Sequence, residues 1–366
     1  MTEWKECKLG DVIVLNYGKA LPEKKRVFGN IPVYSSAGLT GYHNESLVNG
    51  RGIIIGRKGT IGSVHFSYKP FWCIDTAYYI TDNEEYNLKY IYYLLQTLGL
   101  NELNEDSAVP GLNRNTAYQQ DISFPPLPEQ KAIAEVLSSL DDKIDLLTRQ
   151  NKTLEDIAQA YFRKWFIEDA SDEWEIKKLR DFGEIICGKT PPTTNKKFFN
   201  GNIPFIKIPD MHNNVYIFDT ADTLSEMGAK YQENKFIPPM SICVSCIATV
   251  GLVSMNVFLS QTNQQINSLI PKHDKYRYYL FLFLRSYRDE LLALGSGGTM
   301  TLNINKTLFG DIECYCPDDE ILFRFNNVVN PLFGKIYNNC KQIRILSKLR
   351  NTLLPKLISG EIRVKM

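Results

Sequence analysis

The chain is written twice. Trp4-Lys5-Glu6-Cys7-Lys8-Leu9-Gly10-Asp11 returns as Trp174-Glu175-Ile176-Lys177-Lys178-Leu179-Arg180-Asp181, and Gly29-Asn30-Ile31-Pro32 returns as Gly201-Asn202-Ile203-Pro204. Looser echoes link Gly59-Thr60-Ile61-Gly62 to Ala248-Thr249-Val250-Gly251, and Leu112-Asn113 to Leu302-Asn303. A repeat this long is a duplicated domain, not a solenoid of short units. The 366 residues are enough to give each copy its own core.

Each copy ends in a heptad seam. The first runs Ile133, Leu137, Leu140, Ile144, Leu147, Asn151, Leu154, Ala158, Tyr161, Trp165. The second runs Phe325, Val329, Leu332, Ile336, Asn339, Ile343, Leu346, Arg350, Leu353, Leu357, every position 192 residues after its counterpart. Steps of four and three predict helices that pair along a narrow stripe. Pro128 suits a first helical turn, and a helix of about forty residues would be about 60 Å long. Pro331 and Gly334 predict a kink or a late start in the second helix, and Leu357-Ile358-Ser359-Gly360 its stop. If the two helices pair antiparallel about a twofold axis, facing residue numbers sum to about 490. Asn151 then faces Asn339 as a polar layer that fixes register, with Leu147 on Ile343, Ile144 on Leu346 and Leu154 on Ile336. Arg350 opposite Leu140 is the misfit, and its head group is expected in water.

Ahead of each seam lie short β-prone runs broken by turn residues: 11–15, 51–55 and 71–74 in copy one, 184–187, 203–207 and 241–244 in copy two. Helical stretches follow at 88–95 and 276–281, with aromatics that read as core. The expected class is α+β: two similar domains separated by an antiparallel two-helix coiled coil, with pseudo-twofold symmetry. The expected boundaries are 1–128 for the first domain, 129–168 for its helix, 169–317 for the second domain, and 318–366 for the second helix and tail.

Composition narrows the partners. The apolar fraction of 44% is ordinary for a globular protein, and no run of about 18 apolar residues predicts a membrane span. No signal-peptide pattern opens the chain, so the cytoplasm is the expected compartment. The eight cysteines are then reduced; Cys243-x-x-Cys246 and Cys314-x-Cys316 fall in strand-like runs, where positions three apart face opposite ways, and no metal site is expected. A net charge of +1 argues against non-specific coating of DNA. The distribution is less neutral. Residues 19–58 carry seven basic side chains against two acidic ones, and 189–207 carry four lysines and no acid, at similar places in the two copies. Two look-alike domains with recurring basic loops suit a ligand with two spaced half-sites, of which duplex DNA is the commonest.

Base edges are read by Arg, Lys, Asn, Gln, Ser and Thr on loops above a rigid sheet. In copy one this selects Lys24, Lys25, Arg26, Ser35, Ser36, His43, Asn44, Arg57 and Lys58, with Arg114 and Asn115 in a polar loop. In copy two it selects Lys189, Thr193, Thr194, Asn195, Lys196, Lys197, His212, Asn213, Asn263, Gln264, Gln265, Asn303 and Asn305.

Catalytic motifs fail on inspection. Gly183-Glu184-Ile185-Ile186-Cys187-Gly188-Lys189-Thr190 spells a P-loop, but Pro191-Pro192 follows where a helix must begin. Asn330-Pro331-Leu332-Phe333 lacks the second proline of an adenine methyltransferase tetrapeptide, and Gly295-Ser296-Gly297-Gly298 lacks a dinucleotide-binding context. His43, His65, His212 and His273 have no ligand or triad spacing. No catalysis by this chain is expected.

Taken together, the two-copy plan, Phe124-Pro125-Pro126-Leu127-Pro128-Glu129-Gln130 before the first helix, and the terminal Leu353-Leu354-Pro355-Lys356-Leu357-Ile358-Ser359-Gly360-Glu361-Ile362-Arg363 resemble the DNA-specificity (S) subunit of type I restriction-modification systems. The Trp-x-x-x-x-Leu-x-Asp openings and Thr190-Pro191-Pro192 fit as well, and the likeness covers essentially the whole chain; Cys316-Pro317-Asp318-Asp319-Glu320 is a degraded second Pro-Glu-Gln junction. The resemblance implies that each domain is a target-recognition domain reading half of a bipartite duplex, and that the helices set the gap. It also implies docking of methylation subunits, typically two, which carry S-adenosylmethionine, and of restriction subunits; this chain itself would hold no cofactor. The other function class the sequence allows is a non-catalytic coiled-coil scaffold with duplicated protein-binding domains.

Overall fold

A computed structural model describes residues 4–104, 111–295 and 303–365. Leu302 of the loose repeat and Ser296-Gly297-Gly298 lie outside the described residues. The chain folds as two compact units, one made of 1–145 with 345–366, the other of 146–344. Two long helices, Leu127–Arg163 and Asp319–Ile358, contribute to both.

The first unit holds a four-stranded antiparallel sheet in the order Asn16–Tyr17, Ala77–Thr81, Gly52–Gly56, Val64–Ser67. Beside it a hairpin of Ile31–Ser35 and Gly38–His43 takes Trp72–Cys73 as a parallel third strand. Lys5–Lys8 pairs with Asp121–Phe124 and closes the domain at the foot of the first long helix. The helix Leu88–Leu95 buries Tyr90, Ile91, Tyr93 and Leu94 on this core, as its apolar spacing requires. Residues 11–15 are not a strand. Leu9–Asp11 forms a turn, and Ile13 and Leu15 are buried from the irregular segment that follows. Alternation reported their burial and misread their backbone.

The second unit repeats this plan with additions. Its sheet runs Gly183–Cys187, Ile266–Pro271, Ile242–Ser245, Val253–Asn256, and then a fifth strand, Tyr216–Ile217. That strand belongs to a 207–221 excursion that replaces the tight turn of the first unit's hairpin. The stretch that spells a P-loop lies here: Gly183–Cys187 is an edge strand, and a Cβ on Gly188 would come within 2.1 Å of the Asn263 carbonyl oxygen. Gly18 is as confined, since a Cβ there would stand 2.0 Å from the Ile74 carbonyl oxygen. These glycines permit close backbone contact. Cys243 and Cys246 join different apolar clusters, as alternation along the strand demands, and burial pushes both thiols up to about 12.

The long helices pair antiparallel within each unit. In the first, Ile133 and Leu137 share a core with Leu353 and Leu357. In the second, Ala158, Phe162 and Phe166 share one with Phe325, Val329 and Ile336. Asn339 Nδ2 donates to Asn151 Oδ1 at 2.9 Å, the register expected from the seam. Two details differ. Helix two begins at Asp319 and runs unbroken through Pro331 and Gly334, with Val329, Phe333 and Ile336 fully buried there; packing offsets the hydrogen bond that Pro331 forgoes. Arg350 does not simply reach water: its Nη1 donates to Asp141 Oδ1 at 2.9 Å and its Nη2 to Asn351 Oδ1. The stop is as expected, with Gly360 at φ 76°.

Candidate nucleic-acid interface

In the first unit three of the expected cations converge. A hollow of about 200 Å³ is lined, among the described residues, by Tyr17, Arg57, Lys58, Tyr78, Gly111, Leu112, Asn113 and Arg114, none of them a carboxylate. The Arg57 guanidinium lies 5.0 Å from the Tyr17 ring centre and 5.8 Å from that of Tyr78, and its Nη1 donates to the Asp75 carbonyl at 3.2 Å. Arg114 also lies over Tyr17, at 5.1 Å, and its buried Nε has no hydrogen-bond partner among the described residues. Arg114 opens the helix Arg114–Tyr118, whose cap is Asn113: Oδ1 accepts from the Asn115 amide at 2.8 Å. The polar loop expected at Arg114 and Asn115 is therefore a capped helical turn. Stacking on rings fixes the direction of each guanidinium while leaving donors uncovered, and two such cations with no counter-charge among the described residues beside them make a place for an anionic or acceptor-rich group.

In the second unit the cluster is different. Lys189 Nζ stands 5.8 Å from the Tyr231 ring centre, and Thr190 Oγ1 donates to Gln264 Oε1 at 2.7 Å. Beneath them Gln232 Nε2 donates to the Lys189 carbonyl and to Gln261 Oε1, both at 2.7 Å. Asn263 and Gln265 bond each other, Nδ2 to Oε1 at 2.8 Å, with Asn263 buried and Gln265 half-buried. Backbone bonds fix the correspondence between copies. Leu112 N donates to the Arg57 carbonyl as Ile304 N donates to that of Cys246, and Asn305 caps Lys306–Gly310 as Asn113 caps its helix. Leu112-Asn113 therefore matches Ile304-Asn305, two residues beyond the repeat expected from sequence. Where the first unit has Tyr17, Arg57 and Arg114, the second has Cys187, Cys246 and Lys306.

The family model for the type I restriction modification DNA specificity domain matches residues 1–156 and 171–353, one stretch for each copy. The chain belongs to this family. It is 37% identical to the type I restriction enzyme HindI specificity subunit of Haemophilus influenzae, over 69% of this chain and 71% of that protein. It is 31% identical to the MjaIX specificity subunit of Methanocaldococcus jannaschii, over 86% and 78%. The fold matches the crystal structure of a type I restriction-modification S subunit from M. genitalium with a TM-score of 0.64 at 17% identity, covering 99% of this chain and 96% of that one.

For this specificity-family chain, the remaining candidates divide by what their side chains touch. Ser35 is buried; its Oγ accepts from the Ala37 amide and donates to the Gly38 carbonyl, which builds the hairpin turn. Ser36 is buried too, and its carbonyl accepts from Ser63 Oγ. His43 Nδ1 accepts from the Val27 amide at 3.0 Å, and the ring meets Trp72 edge-on at 5.6 Å. Arg26 Nη1 donates to the Thr40 carbonyl at 2.7 Å. These four spend the groups just named on contacts within the domain. Asn195 caps the Lys196–Phe198 turn, and Asn305 caps its helix, so their acceptors are occupied. Asn213, in a left-handed conformation at φ 60°, lines a separate groove of about 550 Å³ with Lys152, Arg285 and Arg288, next to exposed His212. Lys24, Lys25, Asn44, Lys58, Asn115, Lys189, Thr193, Thr194, Lys196, Lys197, Gln264 and Asn303 are exposed. Tyr17, Tyr78 and Tyr231 were not among the expected residues. The only trace of Tyr17 in the sequence is its place just before Gly18-Lys19, matching Gly188-Lys189.

Proposed function

We propose that this chain is the DNA-sequence-reading subunit of a type I restriction-modification assembly, with one recognition domain in each compact unit. The observation that carries the reading is the Tyr17–Arg57–Arg114 pocket, in which two guanidiniums held on rings and Lys58 meet with no carboxylate among the described residues that line it. Guanidinium is the group best suited to bidentate contact with guanine O6 and N7 or with phosphate. The differing residues at the equivalent place in the second unit give the two domains different reading chemistry, as a bipartite target with unlike halves requires. The exposed lysines at 24–25 and 196–197 serve as phosphate contacts that position each domain without specifying sequence.

The chain does no chemistry in this scheme. Methylation subunits dock on it and bring S-adenosylmethionine, restriction subunits join them, and the paired helices set the gap between half-sites. The test is co-expression with a methylation subunit followed by genome-wide mapping of methylated adenines. A single bipartite motif is expected, altered in one half only by Arg57→Ala. Methylation without a motif, or a motif indifferent to both domains, would favour a plain protein-binding scaffold.

A further inference from the structure

Phe28 is fully exposed, and Val27 and Tyr42 near it are more than half exposed. A phenylalanine left wholly in water forgoes burial, and no described residue of its own unit covers it. Yet its backbone is anchored on both sides. Arg26 is bonded to the Thr40 carbonyl, the Val27 amide to buried His43, and a Cβ on Gly29 would stand 2.4 Å from the His43 carbonyl oxygen. The His43 ring abuts Trp72, and Trp72 Nε1 donates to the Lys19 carbonyl at 2.9 Å, two residues from Tyr17 of the cationic pocket. Arm and pocket therefore share one rigid framework. The turn leading into the arm, Glu23–Lys25, exposes Lys24 and Lys25, and Lys19 is exposed as well; Glu23 and Glu45 are the nearby acids in sequence.

An apolar ring on a stiff mount, flanked by lysines and joined to a cation pocket, fits a polyanion whose interior offers flat faces. We propose that Phe28 is a wedge that enters the DNA stack at the half-site read by the first unit, with Lys24 and Lys25 on the neighbouring phosphates. This rests on the DNA reading of the pocket. The second unit keeps the lysine pair at 196–197 and the close approach at Gly201, but Asn200, at φ 61°, stands where Phe28 stands. The wedge is one-sided.

The test uses the full chain assembled with its methylation subunit and a duplex selected by that assembly from a random-sequence library. 2-Aminopurine is placed at successive steps of the first half-site. Phe28→Ala should weaken binding about tenfold, the scale of one lost base–aromatic contact. It should leave the salt slope and thermal unfolding unchanged and abolish the fluorescence rise at one step. Phe28→Trp should retain binding and the rise, and Asn200→Ala should alter neither. Wild-type binding and fluorescence in Phe28→Ala overturn the wedge, as does loss of the methylation subunit in place of DNA, which would make the arm a protein contact. If Arg57→Ala is equally silent, or no duplex is selected at all, the pocket reading falls with it; if Arg57→Ala weakens binding while Phe28→Ala does not, only the wedge falls.

Discussion

Asn339 Nδ2 donates to Asn151 Oδ1 at 2.9 Å across the paired helices, and Asn151 Nδ2 in turn reaches Cys340 Sγ at 3.5 Å. Asn339 is completely buried, and its own Oδ1 has no hydrogen-bond partner among the described residues. The layer is thus tied but not saturated. Burial raises the Cys340 thiol to about 11, so it stays protonated at neutral pH. Replacing Asn339 alone with leucine leaves the Asn151 amide against an apolar wall and should cost about 1–3 kcal/mol. The double substitution Asn151→Leu, Asn339→Leu should recover most of that loss while relaxing the register. Denaturant unfolding of the four species, treated as a double-mutant cycle, reads the coupling. A double variant as unstable as the sum of the singles would deny it.

The seam was legible because it obeys one number: a 3.5-residue period repeated at a constant offset puts the two asparagines opposite each other whatever surrounds them. The pocket was legible only in part. Sequence shows that Ser35, Ser36 and His43 are polar, but not that a hairpin turn spends their groups on the backbone. It shows Arg57 and Arg114, but not the Tyr17 ring that brings them together, because Tyr17 and Arg114 are 97 positions apart and meet only through the folded sheet. The match of Leu112-Asn113 slipped by two because Leu302-Asn303-Ile304-Asn305 offers the same dipeptide pattern twice. Hydrogen bonding decides between them: Asn305 Oδ1 accepts from the Thr307 and Leu308 amides. Asn305→Ala should therefore cost about 0.5–2 kcal/mol as a lost helix cap. Asn303→Ala should be close to silent in the same thermal-unfolding measurement.

Glu129 fastens the tail to the first unit. Its buried carboxylate takes bonds from Arg363 Nε and Nη2 and from Trp4 Nε1, the last at 3.0 Å. Burial alone would raise its pKa, but the bonds from Arg363 and Trp4 outweigh that and hold it below its ordinary 4.5. A carboxylate depressed in the folded state adds stability that is complete above the unfolded value and is lost as pH falls through the folded one. Wild-type stability should therefore gain a component that fades below about pH 4.5. Arg363→Met should leave the Glu129 charge buried without its main partner and cost about 3–5 kcal/mol at neutral pH. In that variant acid should destabilise less, since protonating Glu129 then relieves a charge. Unfolding midpoints from pH 3 to 7 for both proteins would show it, and parallel curves would mean that the ion pair has no part in holding the tail.

Arg57 and Ser35 carried the same expectation from sequence and should now part. Arg57→Ala removes a guanidinium held on Tyr17 and Tyr78 and aimed into the pocket. It should cost binding about 1–3 kcal/mol and relax one base position in the first half-site, while thermal stability moves little. Ser35→Ala deletes the buried hydroxyl that accepts from the Ala37 amide, leaving that donor unmet inside the hairpin turn. It should cost stability about 1–3 kcal/mol and leave the recognised sequence as it was. Methylome mapping gives the motif and a melting curve gives the stability, so the two variants are read on both axes. A motif change in Ser35→Ala, or an unchanged motif in Arg57→Ala, would move the reading surface away from the pocket and toward the hairpin tip.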